Sequence, residues 1–189
     1  MIYIKGGSFV RKINAIITAA IIIVFIFHGG LGSFMMAGIT EQGDRIVAWL
    51  GCLLIIIHTV IGFIITGRTI KSGIKSKKWY LNQNKEFWIR RISGLIIFAI
   101  MFIHFSSFRK MDDNNIYQLT KFLADNMIVQ LIFLISIFIH LSTNIRPMLI
   151  SMGIVINSRI KKILMPLSVV ILVLFCGAVI FYYIRWNIL

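Results

Sequence analysis

Five stretches of this chain, approximately 13–33, 47–67, 92–109, 126–146 and 163–184, stay apolar for close to the length that a helix needs to cross a bilayer. At 1.5 Å of rise per residue, ~30 Å of hydrocarbon takes about 20 residues. Inside hydrocarbon every backbone amide and carbonyl must be satisfied within the protein, which an α-helix achieves alone. The sequence therefore predicts an all-α fold, an integral membrane bundle of five transmembrane helices. The connections are too short to hold a soluble domain, so residues 1–189 are expected to form a single membrane domain.

Composition agrees. Hydrophobic residues make up 59% of the chain, against roughly 45–50% in soluble domains. A net charge of +14 would suit a nucleic-acid partner, but the basic residues lie between the apolar runs and form no amphipathic stripe, so no nucleic acid is expected. Lys5, Arg11 and Lys12 precede the first run, as in a secretory signal. That run is long and carries His28, and it reads as a retained first span.

Fifteen of the 20 Lys and Arg residues fall in the N-terminus, the second connection and the fourth connection. By the positive-inside rule these segments are cytoplasmic, which predicts a cytoplasmic N-terminus and an external C-terminus. The opposite side carries Glu41, Asp44, Asp112, Asp113 and Asp125. Trp49, Trp79, Trp88 and Trp186 fall near span ends, where amphipathic rings belong.

The chain has four histidines, His28, His58, His104 and His140, one in each of the first four apolar stretches. An ionisable side chain in hydrocarbon is costly and points to function, and neutral imidazole is a good ligand for iron. Helices one and three run outward, which puts His28 and His104 about 18–23 Å from the inner ends of their spans. Helices two and four run inward, which puts His58 and His140 about 9–14 Å from theirs. Depth alone sorts the four into an outer pair, His28 with His104, and an inner pair, His58 with His140. Two such pairs suit two stacked haems. Cys52 and Cys176 both lie in apolar runs and offer no CxxCH attachment site, so any haem would be held non-covalently. Gly32 and Gly62 follow His28 and His58 by one turn, where a missing side chain leaves room for a porphyrin edge. Two other readings stay open: histidines that only bond between helices, and a proton or metal transporter, although no Asp or Glu lies inside these spans.

The segments FIFH ending at His28, IIIHTVIG around His58, RRISGLIIFAIMFIH ending at His104 and IHLSTNIRPMLISMGI beginning just before His140 carry a further signal. Together they resemble the single-subunit, di-haem, five-helix cytochrome b anchor of succinate dehydrogenases and fumarate reductases of Gram-positive and epsilon-type bacteria. The resemblance runs from about residue 9 to 165, and its specificity lies in histidine order and spacing. It implies two haem b groups, with His28 and His104 on the haem distal to the soluble subunits and His58 and His140 on the proximal one. It also implies flavoprotein and iron-sulphur subunits on the cytoplasmic side, menaquinone as the membrane electron carrier, and residence in a bacterial cell membrane.

Several further residues acquire expectations from this frame. Arg11, Arg90, Arg91, Ser93 and Arg146 lie near the inner face and are candidates for haem propionate contacts, although each also serves as an ordinary positive-inside charge. Glu41 is a candidate proton acceptor for quinol oxidation, because a glutamate in this region has that role in some family members. Certain fumarate reductases place a proton-conducting glutamate two residues before the last haem histidine, and the matching residue here is Phe138. The alternatives are a di-haem cytochrome b of another dehydrogenase, such as a hydrogenase or formate dehydrogenase, a cytochrome b561-like protein, or a haem-free membrane transporter.

Overall fold

A computed structural model of the chain describes residues 3–40, 45–76, 85–108, 124–154 and 158–187. They form five helices: α1 Tyr3–Met36, α2 Arg45–Ser76, α3 Lys85–Phe108, α4 Ala124–Ser151 and α5 Ser158–Asn187. Among the described residues there is no strand. All five helices are long and apolar enough to cross a membrane. Their large apolar side chains face outward in numbers no water-soluble protein tolerates, among them Ile23, Phe27, Leu53, Phe63, Phe102 and Leu174.

The helices overrun the expected apolar spans mainly at the end where Lys and Arg gather, hereafter the basic end. There α1 starts at Tyr3 where hydropathy suggested 13, and α2 continues to Ser76 where it suggested 67. Lysine and arginine are good helix formers that a hydropathy window rejects, and their long stems let the charged heads reach the interface. Terminal charges also suit the helix dipoles, with Glu86 and Asp125 in first turns and Lys75 and Arg185 in last turns.

Two helices end on a glycine with positive φ, Gly38 after α1 (75°) and Gly153 after α4 (82°). In both, the following amide reaches back five residues, Ile39 N–H to the Phe34 carbonyl and Ile154 N–H to that of Leu149, each at 2.9 Å. These are Schellman caps, which need a residue without a Cβ penalty at the left-handed position. The MGI stretch noted in the sequence thus has a local task, which is to stop α4.

α1, α2, α3 and α4 form a ring in chain order. Each packs on its neighbours, α4 closes back on α1, and α5 lies outside against α1 and α4. The thinnest seam is between α2 and α3. Among the described residues no Cα of α1 comes within 8 Å of α3, and none of α2 within 8 Å of α4. These diagonal partners face each other across the middle of the bundle. At the end opposite the basic one, fully buried Tyr182 and buried Val179 on α5 form a core cluster with Met36, Phe108, Met127, Leu131, Leu134 and Tyr183.

Candidate haem-ligand pairs

The diagonals are where the histidines meet. His28 on α1 faces His104 on α3 with ring centres 6.1 Å apart, and His58 on α2 faces His140 on α4 at 6.2 Å. Two imidazoles hydrogen-bonded directly to each other would bring their ring centres to about 5 Å. Two imidazoles sharing one metal stand further apart: a bond of about 2 Å on each side, plus about 1.1 Å from nitrogen to ring centre, gives about 6.2 Å. Both couples have the second spacing. Each supplies two protein ligands, and the described residues hold no group of three or more His, Cys, Asp or Glu suited to a bare ion. Two imidazoles at this spacing are a donor set that haem iron would accept.

The couples lie at two levels. Thr18 on α1 and Ser93 on α3 share the level of His58 and His140, and Gln130 on α4 shares that of His28 and His104. Thr18 precedes His28 by ten residues and Gln130 precedes His140 by ten, a rise of about 15 Å. The near couple, His58 with His140, is towards the basic end, and the far couple, His28 with His104, is towards the buried Tyr182 cluster.

Hydrogen bonds fix the tautomer of three of the rings. At the near couple the Ser93 hydroxyl donates to the Ile89 carbonyl of its own helix at 2.7 Å, so it accepts from His140 Nδ1–H at 3.0 Å. In the same way the Thr18 hydroxyl donates to the Asn14 carbonyl at 2.8 Å and accepts from His58 Nδ1–H at 3.3 Å. At the far couple the Gln130 amide oxygen, which can only accept, takes His104 Nδ1–H at 2.7 Å. Three of the four imidazoles thus carry their proton on Nδ1 and leave Nε2 able to act as a metal ligand, the arrangement found around metal-ligating histidines.

Packing completes each setting. A Cβ built on Gly94 would stand 3.0 Å from His140 Cε1, so the glycine lets α3 lie against that ring without pushing it aside. His104 lies between Phe108 and Phe133, ring centres 5.1 and 5.2 Å away. At the glycines singled out from sequence, a Cβ on Gly32 would meet nothing of the protein within 4 Å, and one on Gly62 only Arg91 Nη1 at 3.6 Å.

The candidate cations divide. Arg91 comes closest to the near level, with Nη1 beside Gly62, its guanidinium over the Phe87 ring at 5.0 Å and a buried Nε that no hydrogen bond satisfies. Arg90 spans α3 to α4 and donates to the Thr143 carbonyl at 3.2 Å. That carbonyl is free because Pro147, four residues on inside α4, has no N–H to offer it. Arg90 also pairs with exposed Glu86 at 3.5 Å. Arg11 and Arg146 are exposed at the basic end. Ser93 is buried and committed to His140. Glu41 lies outside the described residues, as do 77–84 in the basic second connection.

Thr18, Gln130 and Gly94 were not anticipated from sequence. Gln130 carried a usable signal, because an amide in an apolar helix needs a partner, but its place near a span end reads as interfacial. Compared with known proteins, the chain matches no family model, no curated protein sequence and no solved structure.

Proposed function

We propose that this chain is a di-haem cytochrome b membrane anchor of a succinate:quinone oxidoreductase or fumarate reductase, set in a bacterial cell membrane with its N-terminus cytoplasmic and its C-terminus external. The observation that carries the reading is the pair of histidine couples, 6.1 and 6.2 Å apart, on diagonal helices at two levels. The order, spacing and flanking segments of the histidines, which resemble that family, supply the biological setting: flavoprotein and iron-sulphur subunits on the cytoplasmic side, and menaquinone in the bilayer.

Bound haem b supplies a one-electron iron couple at each level. His28 with His104 and His58 with His140 would hold the two irons, while Thr18, Ser93 and Gln130 keep Nδ1 protonated and Nε2 turned to the metal. Arg91, whose buried Nε lacks a partner, is the best-placed cation for a propionate at the near level. Arg90, Arg11 and Arg146 add positive charge on the same side. The chain then conducts electrons between an iron-sulphur subunit and menaquinone and anchors both soluble partners, leaving dicarboxylate chemistry to the flavin. With Phe138 in place of a proton-conducting glutamate, electron transfer across the bilayer charges the membrane, which sealed vesicles would register as a potential during turnover.

The test is purification from the native membrane with associated subunits, a reduced-minus-oxidised absorption spectrum and haem stoichiometry. Two b haems per chain with a flavoprotein and an iron-sulphur partner are expected. One haem per chain breaks the pairing, and none sinks the haem reading. Two haems alongside a hydrogenase or formate dehydrogenase would keep the cofactors and replace the partners.

A further inference from the structure

We propose that Gln130 is a positioning residue for the far iron centre, holding the tautomer and orientation of His104 and setting the electron affinity of the metal that His104 ligates. The inference rests on the di-haem reading. Gln130 is 3% exposed on an apolar helix, its amide oxygen is 2.7 Å from His104 Nδ1, and its buried Nε2 meets no hydrogen-bond partner. Burying an amide with both its N–H donors unsatisfied costs stability. A side chain kept there on those terms is placed for the one bond it makes.

The chemistry of that bond is directional. An acceptor on Nδ1–H pushes electron density through the ring to Nε2 and makes it a stronger donor to a metal. A stronger donor favours ferric over ferrous iron, because reduction adds one electron and lowers the metal's positive charge while breaking no bond. The setting amplifies the effect: Phe108 and Phe133 flank the imidazole and keep the local dielectric low, which strengthens the Gln130 contact. The near couple has no side-chain amide in this role: the hydroxyls of Ser93 and Thr18 already donate to their own helix backbone and lie 3.0 and 3.3 Å from the imidazoles, and His140 also meets the Arg90 backbone carbonyl. One side chain thus adjusts one centre and leaves the other alone.

The experiment is a potentiometric titration of both haems, followed by absorption and by electron paramagnetic resonance, in the purified complex carrying Q130L, Q130E or no substitution. Q130L removes the acceptor and should favour reduction of the far centre roughly tenfold, which is about 59 mV for one electron. Q130E places a stronger acceptor at the same position and should move that centre the opposite way. The near centre serves as the internal control and should stay put in both. A purely structural role would make the two variants shift together or disturb both centres, and either outcome overturns the proposal, as does an unmoved far centre. If Q130L does not assemble, the sign of the Q130E shift decides alone. Failure of the underlying reading looks different: the unsubstituted protein would then lack two haems to titrate.

Discussion

At the near couple both His58 and His140 lean on hydroxyls, and arginines crowd the adjacent end of the bundle. At the far couple His104 leans on an amide, and aromatic rings and the Tyr182 cluster close the end. Ring spacing is nearly the same in both, 6.2 and 6.1 Å. The spacing of each couple and the environment around it are therefore set by different residues. The spacing follows from opposing histidines across a four-helix ring, and the environment from whichever polar residue each neighbouring helix presents one packing layer away. Two centres built this way can share a ligand set and still differ in how readily each accepts an electron.

Replacing a ligand tests that separation most severely. His104→Leu should abolish haem at the far level and leave the near one, so that the purified protein holds half its normal haem. His140→Leu should do the reverse, and the two variants should differ in which spectral component survives. Loss of both haems from either substitution would show that the levels fold as one unit.

Next in size is Gly94→Val. Its Cβ would press on His140 Cε1 from 3.0 Å, with two further methyls behind it. The expected outcome is a loss of 10-fold or more in retention of the near haem, read as haem content after dialysis, with the far level unaffected. Ser93→Ala should cost about 10-fold in near-haem affinity through loss of the His140 acceptor. Thr18→Val should cost less, because its contact with His58 is longer, 3.3 Å against 3.0 Å. Equal effects from Ser93→Ala and Thr18→Val would contradict the ranking by bond length.

These residues also mark where the sequence stops being readable. Five spans, and the assortment of histidines into two levels, follow from hydropathy and helix rise, because both depend only on position along the chain. Support of the rings depends on which face of a neighbouring helix arrives opposite, and that is fixed by packing. Ser93 illustrates the gap: its place near a membrane face gave it an expectation of a propionate contact, and nothing in the sequence pointed to its hydroxyl bond with His140. Gly94, one residue after Ser93 and not singled out from sequence, lies against an imidazole. The helix ends overran the apolar windows for a related reason, because hydropathy measures a bilayer and not a hydrogen-bonded helix.

The smallest expected effect contrasts the two ends through a motif they share. At each end an arginine crosses to a carbonyl that its own helix leaves unpaired: Arg90 to Thr143, freed by Pro147, and Arg185 to Ala37 beyond the last turn of α1, at 3.2 and 3.0 Å. The first bond is partly buried and the second exposed. A buried carbonyl without a donor costs about 1–3 kcal/mol, whereas an exposed one is rescued by water and its loss should stay within about 0.5 kcal/mol. Arg90→Leu should therefore lower thermal stability in detergent measurably more than Arg185→Leu. Pro147→Ala restores an N–H four residues from Thr143, so Arg90→Leu should cost less in that background, with a coupling of about 1 kcal/mol in a double-mutant cycle. Additive costs would mean that Arg90 acts only through Glu86 or through its charge at the basic end, and that the proline break in α4 is not what brings α3 and α4 together beneath the near couple.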